Sequence, residues 1–181
     1  MQKNNSNQDY TNQKIKELYE KYAEHILIFL YRCTKDHHLS LDLLQDTFLN
    51  FIKIFSHTDI IDELKAKIYL FKTAKNLYIN NYRKLKKQTI VQYDDTIQEY
   101  NIDPEKETLQ KEELKDKEKI LNELLEHLNY YEKTIVILRY NLDFKLEEIA
   151  DIMGKSVSSI SRNLQNIQKK LLKIAKEKKF I

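Results

Sequence analysis

Hydrophobic residues recur at three- and four-residue spacing along most of this chain, the period of helices with one buried face. The pattern predicts a first helix from Asn12 to Arg32, with Ile15, Leu18, Tyr19, Tyr22, Ile26, Phe29 and Leu30 on one stripe. Ser40 suits the cap of a second, in which Leu41, Leu44, Phe48, Phe51, Ile52 and Phe55 share a face. Ser56-His57-Thr58-Asp59 reads as a loop, and a third helix is expected from Asp62 to Lys87. Three helices with wide apolar faces can bury one core.

Periodicity fails from Gln88 to Asn101. It resumes after Asp103, which suits an N-cap, and Pro104, which suits a first helical position where its missing N–H costs nothing. The charged helix that follows gains a firm stripe only towards its end, through Leu114, Leu121, Leu124, Leu125 and Leu128. Further helices are expected over Glu132–Tyr140, Lys145–Met153 and Val157 to about Lys178. The fold class expected is all-α, with two small helical domains joined by a flexible linker. The boundaries predicted are a disordered N-terminus over 1–11, a first domain over 12–88, a linker over 89–107 and a second domain over 108–178.

The single glycine, Gly154, defines the second domain. It ends the helix that carries Ala150, at a point where the chain needs positive φ. Ala150 must be small for the next helix to pack on it, and Ile160 returns an apolar side chain to the shared core. This spacing is that of a helix-turn-helix, a module that places its second helix in the DNA major groove.

Composition supports the helical reading, since one glycine and one proline leave little material for hairpin turns. The longest apolar run, Ile26–Tyr31, is far short of a membrane span. The polar start, Met1 to Gln8, lacks the apolar stretch of a signal peptide, so a cytoplasmic location is expected. Cys33 is the only cysteine, which excludes an intrachain disulfide. The net charge of +3 is modest, but its distribution is not. Residues 1–90 carry 15 Lys/Arg against 10 Asp/Glu, residues 91–130 carry 5 against 12, and residues 131–181 carry 11 against 6. Two basic modules flanking an acidic middle suit two contacts on one polyanion.

The third helix has the stronger electrostatic signal. No acid occurs between Glu63 and Asp94. At ~100° per residue, Leu70, Ala74, Leu77, Tyr78 and Leu85 fall on one side, and Lys65, Tyr69, Lys72, Asn76, Asn80, Arg83 and Lys87 on the other. Cations, amides and an aromatic ring can hold phosphates and contact bases. An ordinary solvated helix would mix signs for i,i+4 pairing. In the last helix Val157, Ile160, Leu164, Ile167 and Leu171 are expected inward, with Ser158, Ser159, Arg162, Gln165, Asn166 and Lys169 outward. Arg162 is best placed for bidentate contact with guanine, and Ser156 can cap the helix and aim its N-terminal dipole at a phosphate.

Two such modules on one chain resemble the small bacterial RNA polymerase sigma factors of the extracytoplasmic-function type, over about residues 12–175. Asp42-Leu43-Leu44-Gln45-Asp46-Thr47-Phe48 resembles the polymerase-binding segment of region two. Tyr69-Leu70-Phe71-Lys72-Thr73-Ala74-Lys75-Asn76-Leu77, with Asn80 and Arg83, resembles the part that melts and reads the minus-ten element. Leu138-Arg139-Tyr140 followed by Leu146-Glu147-Glu148-Ile149-Ala150 resembles region four, which reads the minus-thirty-five element. The resemblance implies that Asp42, Gln45 and Asp46 bind the β′ clamp coiled coil of core polymerase, with the β flap as a further contact. It implies that the loop at Ser56–Ile61 lines a pocket for a flipped base, and that an anti-sigma protein is a candidate partner. The chain departs from the family at Tyr69, where Trp is usual, and at Asn80, where an acid is common. Ser161 and Asn163 stand where basic residues are frequent, and Leu128-Asn129 replaces a Leu-Pro.

Two other readings fit parts of the sequence. A free-standing helix-turn-helix regulator would bind its operator without polymerase, as a dimer on a two-fold site. A helical adaptor would bind only proteins. Cys33, His37 and His38 offer three ligands with no second pair at zinc spacing, so a packed cysteine is the expectation. His25, His57 and His127 are isolated and receive no role. No phosphate loop, nucleophile elbow or acid/base pair is present, so no enzyme activity, cofactor or metal is expected.

Overall fold

A computed structural model describes residues 3–56, 61–89 and 119–180, and the side-chain surroundings of 9–56, 61–85 and 119–180. Every regular element among the described residues is helical. The chain divides into two compact units. The linker, Leu114, the Asp103-Pro104 helix start, the side chain of Lys87 and the loop residues His57–Ile60 lie outside the described residues.

The first unit is built on α1 (Lys3–Thr34), α2 (His37–Phe55) and α3 (Glu63–Thr89), each packed on the other two. The first of these helices is described from Lys3, ahead of the Asn12 expected from the apolar stripe. No glycine or proline interrupts this stretch, and once a helix is nucleated each added residue needs only one further hydrogen bond. Leu18, Ile26, Phe29 and Leu30 of α1, Phe48 and Phe51 of α2, and Leu70, Phe71 and Ala74 of α3 form the core. Phe29 and Phe71 meet at 6.1 Å with rings tilted 63°. Burying each such side chain is worth about 1.5–3 kcal/mol, so the aromatic and branched residues dominate this unit's stability.

The junctions are set by short polar side chains. Asp36, in extended conformation, caps α2 by accepting from the Leu39 N–H at 3.0 Å. Ser40 is therefore not the cap. It lies one turn further on, fully buried, and its hydroxyl donates to the Asp36 carbonyl oxygen. Back-bonding of this kind is what a serine does inside a helix, where its own N–H is already committed. Asp62 caps α3 by accepting from the Lys65 N–H at 2.8 Å. The α1 helix ends with Lys35 in the left-handed region (φ 59°), its N–H on the Tyr31 carbonyl at 2.8 Å.

The second unit holds α4 (described over 119–126), α5 (Tyr130–Val136), the start of α6 (Leu146–Met153) and α7 (Val157–Glu177), and α6 is the first helix of the helix-turn-helix. Asn129 caps α5. Its side chain accepts from the Tyr131 and Glu132 N–H groups, while Glu132 reaches back to the Asn129 N–H at 3.0 Å. This capping box satisfies N–H groups that the start of the helix would otherwise leave without acceptors. Past Val136 the helix does not continue regularly to Tyr140. It widens into a π turn over Ile137–Asn141, closed by the Leu142 N–H on the Ile137 carbonyl and by Arg139 Nη1 donating to the Phe144 carbonyl at 2.9 Å.

Gly154 has φ +63°, and a methyl group built on it would meet nothing within 4 Å. The turn needs glycine for its backbone angle alone. Lys179 occupies the corresponding place after α7 (φ 58°). There the Phe180 N–H bonds the Ala175 carbonyl and the Lys179 N–H bonds the Lys176 carbonyl, which is a Schellman motif.

Two predictions follow from these joints. Gly154→Ala should lower stability by about 1 kcal/mol in urea unfolding, and Gly154→Asn by about half as much, because only left-handed backbone strain is added. Glu63 accepts from Lys21 Nζ and from Tyr22 Oη at 3.0 Å, and the Lys21 bond followed by the Tyr22 bond holds its carboxyl below the usual range. The group is part-exposed, so Glu63→Gln should cost only about 0.2–1 kcal/mol at pH 7. The depressed value means this stability is full above the ordinary carboxylate pKa and is lost as pH falls through the folded one. The difference between wild type and Glu63→Gln should therefore vanish in unfolding curves at strongly acidic pH.

Candidate nucleic-acid interface

The outer side of α3 is produced by what its inner side must bury. Leu70, Phe71, Ala74 and Tyr78 are buried, which fixes the helix's rotation. Lys65, Lys72, Asn76, Asn80 and Arg83 are exposed as a result. Among the described residues, Lys65, Lys72 and Arg83 form no ion pair, so their charge is directed to solvent. Two positions differ from the sequence reading, and a third residue, Lys75, was placed on neither face by it. Leu85 is half exposed rather than inward. Lys75 is buried, and that burial, with Lys72 nearby, lowers its pKa. Tyr69 is half-buried, its ring 5.3 Å from Phe55 and 6.0 Å from Phe51, so it borders the basic face and also joins the aromatic core.

On α2, Asp42, Gln45 and Asp46 are all exposed. Leu41 and Ile52, expected in the core, are each 40% exposed, and Leu49 is 46% exposed. The buried face of α2 is instead Ser40, Leu43, Leu44, Thr47, Phe48 and Phe51, a rotation that lets the small Ser40 and Thr47 approach the neighbouring helices. Leu41, Gln45, Leu49 and Ile52, at spacings of four, four and three, then make one outward ridge beside the two acids. That spacing was readable in the sequence as an alternative face. It was missed because Leu41 and Ile52 also complete the stripe through Leu44, Phe48 and Phe51.

In α7 the inward face is Ile160, Leu164 and Ile167, with Leu171 half-buried. Val157, expected inward, is 39% exposed. Ser158, Arg162, Gln165, Asn166 and Lys169 are exposed as expected, and Ser159 is half-buried. Ser156 caps the helix, accepting from the Ser159 N–H at 3.3 Å. The helix is held to α5 through its flanks: Asn163 donates to Tyr131 Oη at 3.2 Å and Lys170 pairs with Glu132 at 2.8 Å. Gln168 donates to Tyr140 Oη at 2.6 Å and Lys178 pairs with Glu123. Asn163 is thus committed to the second unit's interior side, and a basic residue there would not add to the outward face.

Sigma-70 region 2 matches residues 18–88 and sigma-70 region 4 matches residues 118–171. The chain is 31% identical to the RNA polymerase sigma factor YlaC of Bacillus subtilis over 176 residues, spanning 88% of this chain and 90% of that one. It belongs to the extracytoplasmic-function sigma factors of the sigma-70 family. Members direct promoter recognition together with RNA polymerase and have no enzymatic activity of their own. The sigma factor is also 39% identical over 80 residues to SigM of Bacillus subtilis, an alignment spanning 47% of that relative. Its fold is similar to that of the sigma factor RpoE from Bartonella quintana, solved in complex with the anti-sigma factor NepR. The TM-score is 0.67 at 18% identity, covering 91% of this chain and 98% of that one. Among the described residues no helix is long and apolar enough to cross a membrane, and no cluster of ligands could hold a metal.

Proposed function

We propose that the first unit binds core polymerase through α2 and opens DNA through α3, and that α7 reads the upstream promoter element. The observation that carries this is the division of labour in the first unit. Its α3 face offers cations that form no ion pair among the described residues, with amides, over five turns, while its α2 face offers two acids along an apolar ridge. A polyanion suits the first and repels the second. Lys65, Tyr69, Lys72, Asn76, Asn80, Arg83 and Lys87 are the residues assigned to the minus-ten element. Asp42, Gln45 and Asp46, with Leu41, Leu49 and Ile52 added from their exposure, are assigned to the β′ clamp coiled coil.

In the second unit Ser156, Ser158, Ser159, Arg162, Gln165, Asn166 and Lys169 are assigned to the minus-thirty-five element, with the β flap as the unit's polymerase contact. The site functions in the cytoplasm, where its template is. An anti-sigma protein is a candidate regulator, supported by the complex in which the similar Bartonella quintana factor was solved.

Transcription from a cognate promoter by core polymerase, with and without the chain, tests the reading. The chain should be required for initiation, and failure to bind core polymerase at all would overturn the proposal. Replacing Lys72 and Arg83 together by Ala should impair promoter opening while core binding persists. Loss of core binding in that variant would show that α3 has been given the wrong role. Arg162→Ala should weaken discrimination at a single upstream base pair by about 1–3 kcal/mol. Competition binding against every base at each position distinguishes this from a phosphate contact, which would weaken all sequences equally.

A further inference from the structure

We propose that Phe55 is a positioning residue for DNA opening, holding Tyr69 in the orientation from which its ring meets the separating strands. The inference rests on the role of α3 proposed above and adds to it a residue from a different helix.

The argument starts from Phe51, which is fully buried and therefore fixed by the core on all sides. Phe55 lies one helical turn further along α2 and stacks on Phe51, with centroids 4.4 Å apart and planes 19° from parallel. Tyr69 comes from α3 and meets Phe55 nearly perpendicularly, at 5.3 Å and 70°, and Phe51 at 6.0 Å and 52°. Orientation passes along this stack from an immobile ring to a half-buried one, and then to a second half-buried one on the neighbouring helix. Aromatic pairs at these separations are directional, so the contact sets the tilt of Tyr69 as well as its position.

A helical tyrosine has two accessible χ1 wells, since the third drives the ring into the preceding turn. Without Phe55 the ring left beside Tyr69 on the α2 side, among the described residues, would be the more distant Phe51, at 6.0 Å, a looser constraint on the choice between them. Selection matters because an ordered ring does not have to lose rotamer freedom when a base stacks on it. It matters more for tyrosine than for tryptophan, because the smaller ring offers less overlap to a misaligned base. Lys65 and Lys72 flank Tyr69 at i−4 and i+3 on the same exposed side, where they can hold the phosphates on either side of the stacked base.

The experiment uses holoenzyme assembled from core polymerase and the full chain, on a promoter duplex recovered by binding selection. Opening is followed by fluorescence of 2-aminopurine placed in the minus-ten element. Phe55→Leu should slow opening about three- to tenfold, the range expected when one aromatic pair is lost. Phe55→Tyr, which keeps the ring, should restore it to near wild type. The defect should fall below about twofold on a template pre-opened by mismatches, and core binding should be unchanged. In a Tyr69→Ala background Phe55→Leu should add nothing.

Three outcomes overturn the proposal: an equal slowing by Phe55→Leu when Tyr69 is already absent, an equal loss on the pre-opened template, or failure of Phe55→Tyr to rescue. A wild-type holoenzyme that opens no promoter would instead strike the role given to α3, and the inference with it.

Discussion

The packing of α3 against α1 and α2 is the contact on which the first unit's chemistry depends. A helix has no fixed front. It acquires one when part of its circumference is buried, and here Leu70, Phe71, Ala74 and Tyr78 determine that part. Once their positions are set, the exposure of Lys65, Lys72, Asn76, Asn80 and Arg83 follows from geometry. A change in the core that turned α3 by a few tens of degrees would move every cation together, without altering the charge of the protein.

Electrostatics reinforces this arrangement by omission. A surface helix ordinarily alternates signs and stabilises itself through i,i+4 pairs. Past Glu63, α3 gives up that source of stability and relies on tertiary packing, so its cations are not neutralised from within. The carboxylate at its start is used differently, since Glu63 ties α3 to α1 through Lys21 and Tyr22. In α7 Lys173 pairs with Glu177 of the same helix, while Lys170 and, just past the helix end, Lys178 pair with Glu132 and Glu123 and anchor the helix to its own unit. Arg162 and Lys169 lie on the exposed face. Structural and recognition charges are thus separated around one helix.

Most of the helices and their buried faces were legible because the apolar period is strong. The helix-turn-helix was legible because Ala150, Gly154 and Ile160 each have a steric or conformational reason to be where they are. The errors share a cause, which is that local pattern does not report the neighbour. Ser40 and Asp36 are both good caps in isolation, and the fold buries one of them. Leu41 and Ile52 fit either side of α2, and only the approach of α1 and α3 decides between them. The π turn at Ile137–Asn141 has no signature in an apolar pattern, since it shifts phase by a single residue. Tyr69 was read as wholly outward because its aromatic partners lie on another helix.

Lys35, Asp143 and Lys179 all occupy the left-handed backbone region that glycine tolerates best, and two of them close helices in which the negative end of the dipole favours a cation. A chain built this way stores backbone strain at its joints, at residues other than those proposed to bind bases and polymerase. Changes on those surfaces that alter sequence preference usually loosen a fold slightly. Relief of strain at a remote helix end can offset them without touching recognition. The near absence of glycine therefore bears on how such a protein can diversify, because it leaves specificity and stability free to change at different addresses.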